Sequence, residues 1–449
     1  MLDRHSDASG TSTGGATHAV PHLEERPAIL NVPGIPQAGI PQANGKAAGG
    51  VLAVERGLIR RLLHSLGDPP ICIVLWNGEA ITTSTRSPVA RLVFRDRAPL
   101  YRLVLNPDFQ FGEMYSQGRI DVQGDLVELF EAVFQSQLDR LNGGHFHTAR
   151  PNRSRRGALG RARENIHHHY DIGNSFYKLW LDEQMLYTCA YFETAHTSLE
   201  AAQVAKMEHV CRKLRLVPGE RVVEAGCGWG ALALHMARHH GVTVRAYNIS
   251  HEQVMFARAR AKVEGLESRV EFVEDDYRTI DGHYDAFVSV GMLEHVGPAN
   301  YHELGGVIDR CLPRDRSAGR GLIHTIGRNL AMRMDPWIAA RIFPGACPPS
   351  LKEMMNIFEP YSLSVLDIEN LRLHYALTLR HWLARFEAHH TEFGAMFDQR
   401  FVRMWRLYLA SSQVAFTTGW MQLFQVVFNR ATNNDSPLTR RHLYFDAGG

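Results

Sequence analysis

The chain has 449 residues, 45% of them apolar and 21% charged, a balance typical of a globular protein with two or three domains. Its net charge of +2 does not require a nucleic-acid partner, and no apolar run reaches the roughly 20 residues of a membrane-spanning helix. The six cysteines form no C-x-x-C pair and the N-terminus lacks a secretory signal, so we expect a cytoplasmic protein without a metal or disulfide framework.

Residues 1–48 are rich in Gly, Pro, Ala, Ser and Thr and repeat G-I-P-Q-A, which predicts a disordered tail. Residues 49–141 then predict a small α+β domain, for which we expect a role in lipid interaction. Its expected elements are helices over Glu55–Leu66 and Asp125–Leu141 and strands over Ile71–Trp76, Ala90–Phe94, Tyr101–Leu105 and Ile120–Val122. The apolar stripe of the second helix favours core packing over lipid contact.

Residues 142–163 form a basic linker, with six arginines from Arg150 to Arg163 and no acidic residue. Such a run is either a solvated, flexible connection or an anchor for anionic lipid headgroups, where each charge contributes about 1 kcal/mol. Nucleic-acid binding is less favoured, because no aromatic side chains are interleaved with the arginines for base stacking.

Residues 164–330 alternate helical and strand patterns, which predicts that the domain over residues 164–432 has an α/β fold with a doubly wound, Rossmann-like parallel sheet. The predicted strands are Arg221–Ala225, Val242–Tyr247, Val270–Val273, Ala286–Val290 and Gly321–Ile326. The predicted helices are Glu200–Leu214, Ala231–His239, Ser250–Glu264 and Tyr301–Cys311, with further closing helices over residues 396–428. Ligands of such sheets bind at the carboxyl ends of the strands, which predicts one rim containing residues 226–230, 248–253, 275–277 and 291–295.

A strand, a glycine-rich turn and a helix follow one another from Arg221 to Ala237. Glycines at every second position allow a tight turn at positive φ and let a ligand lie against bare amides. The spacing, Glu224 followed by Gly226, Gly228 and Gly230, resembles motif I of class I S-adenosylmethionine (SAM) methyltransferases. The next strand ends without the carboxylate that binds the ribose in NAD sites, so we expect Asn248 and Gln253 to bind the ribose hydroxyls.

Three stretches together resemble the cyclopropane fatty acid synthase family, which includes the mycolic acid cyclopropane synthases. They are NIHHHYDIGNSFYKLWLDEQMLYTCAYF from Asn165, the motif I region through Gln253, and GMLEHVG from Gly291 followed by LIHTIG from Leu322. The resemblance implies transfer of a SAM-derived methylene carbon across a cis double bond of an acyl chain. It also implies a small N-terminal domain and a homodimer.

The same resemblance implies the site residues. A bicarbonate ion would act as base, held by Glu294, His324, Tyr375 and the backbone around Cys189 and Ile326. SAM would contact Tyr187 and Thr188 near its methionine end, Glu224, Gly226, Gly228 and Gly230 at the turn, Asn248 and Gln253 at the ribose, and Asp276 and Tyr277 at the adenine. Some bacterial members carry a reactive cysteine in the C-terminal helix, where this chain has Ser411 and Ser412.

The chemistry agrees with these residue types. An alkene is a weak nucleophile, so the sulfonium methyl must be held in line with it in a dry pocket. A proton must then leave the added carbon for a ring to close, which requires a positioned base. Cys189 is interpreted as a backbone contributor, because this transfer needs no covalent intermediate. Adjacent side chains in His167–His169 point to different faces, so no metal is expected there.

We therefore expect a SAM-dependent enzyme that cyclopropanates unsaturated phospholipid in the inner leaflet, as a peripheral protein of the inner membrane surface. Residues 328–350, which include Met332, Met334 and Phe343, are expected either to cover the acyl chain or to belong to the core. Three alternatives remain: a methyl or methylene product, a lipid-binding module with a vestigial SAM site, and a small-molecule N- or O-methyltransferase.

Overall fold

The computed structural model describes residues 50–141, 172–314 and 319–444. The predicted tail over residues 1–48, the basic linker over residues 142–163 and the histidine run at 167–169 lie outside these ranges. The proposed division into domains therefore stays a prediction, although the chain from Gly50 onwards forms one compact unit. No helix within the described ranges has the length and apolar content needed to cross a bilayer.

The first described range folds around a four-stranded sheet with the order β2-β1-β3-β4, in which β1 and β3 are parallel and the other pairs antiparallel. Its strands are β1 (Ile71–Val74), β2 (Ala80–Ile81), β3 (Ala90–Phe94) and β4 (Ile120–Gln123). Its helices are α1 (Ala53–Ser65), α2 (Ala98–Leu105), α3 (Pro107–Ser116) and α4 (Leu126–Leu141). The expected small α+β architecture is confirmed.

One predicted strand is wrong: Tyr101–Leu105 belongs to helix α2. Leu100 and Leu103 are buried while Tyr101 and Leu105 are exposed, so burial follows a helical spacing and not the alternation of a strand. The β-branched and aromatic residues of this segment favoured a strand, but the packing of one helical face decided its conformation.

The second sheet has seven strands in the order β10-β11-β9-β8-β5-β6-β7. Its strands are β5 (Arg221–Ala225), β6 (Thr243–Asn248), β7 (Val270–Glu274), β8 (Ala286–Val290), β9 (Arg320–Gly327), β10 (Leu363–Asn370) and β11 (Gln422–Arg430). Strands β5 to β9 pair in parallel, which confirms the Rossmann-like prediction, whereas β11 runs antiparallel between β9 and β10.

The prediction of helices up to residue 428 is wrong for β11, and β10 was not predicted. All nine residues of β11 are buried, so its sequence has no polar alternation from which a strand could be recognised. Helices cover both faces of the sheet and the end next to the first range. They are α5 (Asn174–Lys178), α6 (Leu199–Leu214), α7 (Ala231–His240), α8 (His251–Val263), α9 (Leu293–Val296), α10 (Tyr301–Cys311), α11 (Pro336–Arg341), α12 (Leu351–Phe358), α13 (Arg372–Ala388), α14 (His390–Met396) and α15 (Gln399–Thr417).

Helices α3 and α4 pack against α11 and α15, which joins the small sheet to the large one. The buried carboxylate of Glu113 on α3 accepts hydrogen bonds from Arg341 at 2.6 and 3.1 Å and from Arg400 at 3.2 Å. A Cβ on Gly112 would lie 2.4 Å from the ring of Trp337, so only glycine allows α3 to approach α11 this closely. These contacts place α3 and α4 against one wall of the larger cavity described below.

Candidate active site at two adjoining cavities

A cavity of about 150 Å³ lies at the carboxyl ends of β5, β6 and β8, where the sequence predicted the ligand rim. Of the ten residues predicted to bind SAM, nine line it: Tyr187, Thr188, Glu224, Gly226, Gly228, Asn248, Gln253, Asp276 and Tyr277. Gly230 does not line it, because it caps the start of α7 with φ +85°. A Cβ there would lie 2.6 Å from the ring of Phe272, so Gly230 serves packing between helix and sheet.

The glycine-rich turn has the backbone geometry that its sequence predicted. Gly226 and Gly228 have φ values of +85° and +53°, in the left-handed region. A Cβ on Gly226 would lie 2.9 Å from the Cβ of Met292, whereas one on Gly228 would meet open space. Gly228 is therefore the position where a ligand can lie against bare backbone.

The amide of Asn248 is committed within the protein. Its Nδ2 donates to the Gly228 carbonyl at 3.1 Å and to Oε1 of Gln253 at 2.8 Å, and its Oδ1 accepts from the backbone of Ser250. This leaves Nε2 of Gln253 as the amide donor available to a ligand. Asn248 thus positions the turn and Gln253, a division that the sequence did not distinguish.

Asp276 lines the same cavity, but its carboxylate already has a cationic partner. It accepts from the Arg278 guanidinium at 3.0 and 3.1 Å and from the Arg278 backbone at 2.9 Å. These bonds fix the orientation of the carboxylate and leave lone pairs for one further donor.

Lys206 is a cavity residue that sequence reasoning missed. It lies on α6 with 1% exposure, and its Nζ donates to Oγ1 of Thr188 at 2.9 Å. Burial lowers the pKa of Lys206 to about 8, although the negative charges of Asp182 and Glu224 act to raise it. Burial likewise raises the pKa of Glu224 to about 8, against the attraction of Lys206. An apolar-periodic helix gives no sequence signal that one lysine turns inward, so only the fold reveals this pair.

A second cavity of about 750 Å³ contains all five predicted catalytic residues: Cys189, Glu294, His324, Ile326 and Tyr375. Most other lining side chains are apolar, including Met332, Met334, Ile338 and Phe343 of the segment predicted to cover an acyl chain. Trp337 and Ile342 of that segment belong instead to the core. Ser411 and Ser412 also line this cavity, as do Asp108, Phe134 and Gln137 from α3 and α4. The first described range therefore contributes directly to the wall.

The two cavities adjoin, because Tyr187, Thr188, Gly291 and His295 line both of them. Gly291 has φ +76°, and a Cβ there would lie 2.8 Å from the methyl group of Thr188. The hydroxyl of Tyr187 lies 2.9 Å from that of Tyr408, which fixes its ring at this junction. Burial lowers the pKa of His295 to about 4, so its imidazole is neutral at physiological pH.

Glu294 is a buried carboxylic acid in α9, directly after the fully buried strand β8. Its Oε2 accepts from the hydroxyl of Thr325 at 2.9 Å. Burial raises the pKa of Glu294 to about 7, although backbone bonds and the Thr325 bond favour the anion. The group is therefore poised between its protonated and ionised forms at neutral pH, as a group that exchanges protons should be.

His324 is oriented by a buried chain of hydrogen bonds. Nζ of Lys213 donates to Oε1 of Gln425 at 2.7 Å, so the Gln425 amide nitrogen must be the group that donates to Nδ1 of His324 at 3.0 Å. Nδ1 is therefore the acceptor, and Nε2 carries the proton. Nε2 is buried without a protein partner among the described residues. Burial also lowers the pKa of His324 well below its usual value. The result is a neutral imidazole with an unused N–H donor in a cavity.

The environment of Cys189 does not activate its thiol as a nucleophile. Its Sγ donates to the carbonyl of Ala190 at 3.2 Å, and burial raises the pKa of this thiol far above its usual range.

Aromatic rings continue from one cavity to the other. The distance between ring centroids is 5.2 Å for Tyr187 and Trp382, 5.8 Å for Trp382 and Tyr375, and 4.6 Å for Tyr375 and Phe416. Tyr187, Tyr375 and Phe416 line the larger cavity, so their rings can stabilise a positive charge that develops there.

Comparison with known proteins identifies the family. The family model described as mycolic acid cyclopropane synthetase matches residues 158–426. The chain belongs to this family. A model described as a domain of unknown function matches residues 58–143. A probable fatty acid methyltransferase of Pseudomonas putida is 34% identical over 84% of this chain and 96% of its own length.

Further relatives agree with this membership. The cyclopropane-fatty-acyl-phospholipid synthase of Escherichia coli K12 is 41% identical over 61% of this chain and 69% of its own length. The crystal structure of the mycolic acid cyclopropane synthase CmaA1 complexed with SAH and CTAB matches 60% of this chain and 98% of its own, with 27% identity and a TM-score of 0.56. As a cyclopropane synthetase family member, the chain is a SAM-dependent methyltransferase, and this confirms the sequence prediction of an enzyme with SAM as cosubstrate.

Proposed function

We propose that the enzyme transfers a methylene carbon from SAM to the cis double bond of unsaturated phospholipid acyl chains, giving cyclopropane fatty acids and S-adenosylhomocysteine. The observation that carries the proposal is the junction of the two cavities. A smaller cavity at the glycine-rich turn, lined by the ionisable side chains of Lys206, Glu224 and Asp276, meets a larger one with a mostly apolar lining. Glu294 and His324 line the larger cavity. A cosubstrate with a charged tail and an acyl chain require these two environments side by side.

SAM, when bound, supplies an electrophilic methyl group. The backbone amides at Gly228 and the side-chain amide of Gln253 would hold the cosubstrate, and Lys206 would supply a cation for its carboxylate. Apolar side chains of the larger cavity would exclude water from the olefin, and the rings of Tyr375 and Phe416, which line that cavity, would stabilise a transient cation. The overall change balances: the methyl carbon leaves sulfur, both olefin carbons bond to it, and one proton is released.

The residues present fit a bicarbonate ion, which would supply the base. The buried Nε2–H of His324 has no protein acceptor among the described residues, and an anion oxygen would satisfy it. Glu294, with its pKa near 7, can share a proton with a neighbouring anion and so avoid the repulsion of two like charges. Tyr375 supplies a further hydroxyl to the same cavity. Turnover should therefore fall in carbonate-depleted buffer and recover when bicarbonate is added.

The test of this function is a reaction with purified enzyme, SAM and vesicles of a cis-monounsaturated phospholipid. The proposal predicts a gain of one methylene unit per acyl chain in a product that resists mild hydrogenation. Vesicles of the saturated phospholipid are the matched control and should give no product. Methylation of a free acid but not of phospholipid would contradict the proposed substrate.

A methyl-branched or methylenated product is the second candidate. It is favoured by the Pseudomonas putida relative, which is named a probable fatty acid methyltransferase and matches 84% of this chain. The same cavities would serve, with a different fate for the cation. A methylene product forms by proton loss alone and would lose its double bond on hydrogenation. A saturated methyl branch would contain two additional hydrogens and would require a hydride donor such as a reduced nicotinamide or flavin, so its formation should depend on adding one.

The place of action is also part of the proposal. We place the enzyme in the cytoplasm, bound peripherally to the inner membrane surface as a homodimer, with phospholipid of the inner leaflet as its substrate. Sedimentation with anionic vesicles at low and high salt tests the membrane association, and light scattering tests the dimer. Retention of all protein in the supernatant with anionic vesicles at low salt would contradict the membrane part.

A further inference from the structure

A cluster of metal-ligating side chains lies between helices α6 and α7, and none of its members lines either cavity. It contains Cys211 of α6 and His235 and His240 of α7, with one ligand atom from each within 4.8 Å of the others. Glu208, one turn before Cys211, places its Oε2 3.0 Å from Nε2 of His240 and 3.5 Å from Nε2 of His235. Three potential ligands from two helices therefore converge, and the Glu208 carboxylate lies beside the two imidazoles as a candidate fourth ligand.

We propose that Cys211, His235, His240 and Glu208 form a binding site for a divalent transition-metal ion of the zinc type. A thiolate, two imidazoles and a carboxylate are the donors that Zn²⁺ takes in tetrahedral sites. Ideal bond lengths put such ligand atoms about 3.3 to 3.7 Å apart. The ligand atoms of Cys211, His235 and His240 lie within 4.8 Å of one another, so side-chain rotations that bring them at most about 1 Å closer would reach this range. Oε2 of Glu208 already lies 3.0 and 3.5 Å from the two imidazole nitrogens.

Charge and surroundings favour a divalent cation at this point. One thiolate and one carboxylate balance a 2+ charge, so the filled site is neutral in a setting where Cys211 is fully buried and the His235 side chain is 9% exposed. The C-terminal end of α7, where His240 is the last residue, adds a favourable helix dipole. Oε1 of Glu208 accepts from Nε of Arg212 at 3.0 Å, and this bond orients the carboxylate.

The ligand spacing follows from the two helices. Glu208 and Cys211 are three residues apart on α6, so they lie on the same face. His235 and His240 are five residues apart, which a regular helix would not align, but α7 ends at His240 and Gly241 follows with φ +66°. The absence of a C-x-x-C pair gives no information about this cluster, because its residues come from two separate helices.

Such an ion would fasten the C-terminal end of α7 to α6 and so stabilise the fold without taking part in the reaction. These are the helices on which the smaller cavity rests: α7 begins at the glycine-rich turn, and α6 carries Lys206. A bound ion should therefore raise the melting temperature by about 3 to 5 °C when free metal exceeds the Kd about 100-fold.

The experiment titrates the chelator-treated full chain with cobalt(II) and with zinc(II). Because a thiolate ligand gives a sulfur-to-cobalt charge-transfer band, the cobalt spectrum separates this site from histidine-only binding elsewhere in the chain. We expect one equivalent of cobalt with that band, and loss of the band in Cys211→Ala. The matched control is His239→Gln, whose imidazole lies on the same helix next to His235 but outside the ligand set.

His240→Gln provides a second ligand variant, because its half-buried side chain is less demanding for folding than Cys211. We expect its zinc Kd to rise more than about 100-fold, while that of His239→Gln stays within about threefold. SAH binding by each variant shows that it is folded. Absence of the thiolate band in the folded wild-type chain, its persistence in Cys211→Ala, or equal zinc affinity in the His240 and His239 variants would overturn the proposal.

Discussion

Glu294→Gln separates the chemical role of this carboxyl group from its effect on stability. The folded-state pKa of about 7 lies above the ordinary 4.5, so the native protein binds this proton more tightly than the unfolded chain. The contribution of Glu294 to the unfolding free energy of the wild type should therefore be highest below pH 4.5. It should fall between pH 4.5 and 7 and stay level above pH 7. At about 1.4 kcal/mol per pH unit, the pKa difference amounts to about 3 kcal/mol.

Glutamine carries no ionisation cost and can still accept from the Thr325 hydroxyl. The difference in unfolding free energy between the variant and the wild type should thus shift by about 3 kcal/mol in favour of the variant between pH 5 and pH 8.5. Chemical denaturation in bicarbonate-free buffer measures it, and the contribution of Glu224 cancels because both proteins contain that group. Glu359→Gln, at an exposed position, is the matched control and should show no pH-dependent difference.

The same variant should lose at least about 100-fold in turnover, the usual contribution of a positioned acid or base. Its SAM affinity should stay within about threefold of wild type, because Glu294 does not line the smaller cavity. Turnover within tenfold of wild type would refute the assignment of the proton-transfer site. A stability difference that does not vary with pH would refute the desolvated carboxyl itself.

Three further predictions concern the surroundings of this group. Gln425→Leu removes the donor to Nδ1 of His324, so turnover should fall about 10- to 100-fold while the SAM Kd stays unchanged; an unaffected turnover would contradict the role of the buried chain. Gly291→Ala brings a Cβ within 2.8 Å of Thr188 at φ +76°, so calorimetric SAM binding and turnover should both weaken more than about tenfold, unlike in Gly78→Ala at an exposed turn. Ser412→Cys should make turnover sensitive to a bulky maleimide, whereas the wild type, whose six cysteines are all buried, should resist it; a variant that resists the reagent as well as the wild type does would contradict the place of Ser412 in the acyl cavity.

The sequence predicted those elements whose burial and ends are visible in the local residue pattern. Strands β5 and β8 are short apolar runs, and glycines follow each of them, so their ends and the rim they form could be located. Strand β11 could not be recognised, because it is buried on every side and its neighbours β9 and β10 are distant in sequence. Helix α2 was missed because residue preference and packing point to different structures.

The predicted site residues divide in the same way. The glycine-rich turn and Glu294 follow strands directly, so their positions at the rim could be deduced. Lys206 and Gln425 act through contacts with other elements of the fold: one is a lysine within a helix that bonds Thr188, and the other a glutamine within a buried strand that bonds His324. Their roles depend on a partner side chain from another element, and that partner cannot be deduced from the local sequence.

The most direct test of the central claim uses SAM with a fully deuterated methyl group and cis-monounsaturated phospholipid vesicles. If a methylene carbon is added and a proton is removed from it at this site, the lipid product contains two of the three deuterons in a ring that resists hydrogenation. Retention of all three deuterons in the product, or transfer of the label to a nitrogen or oxygen acceptor with none in the acyl chain, would contradict the account.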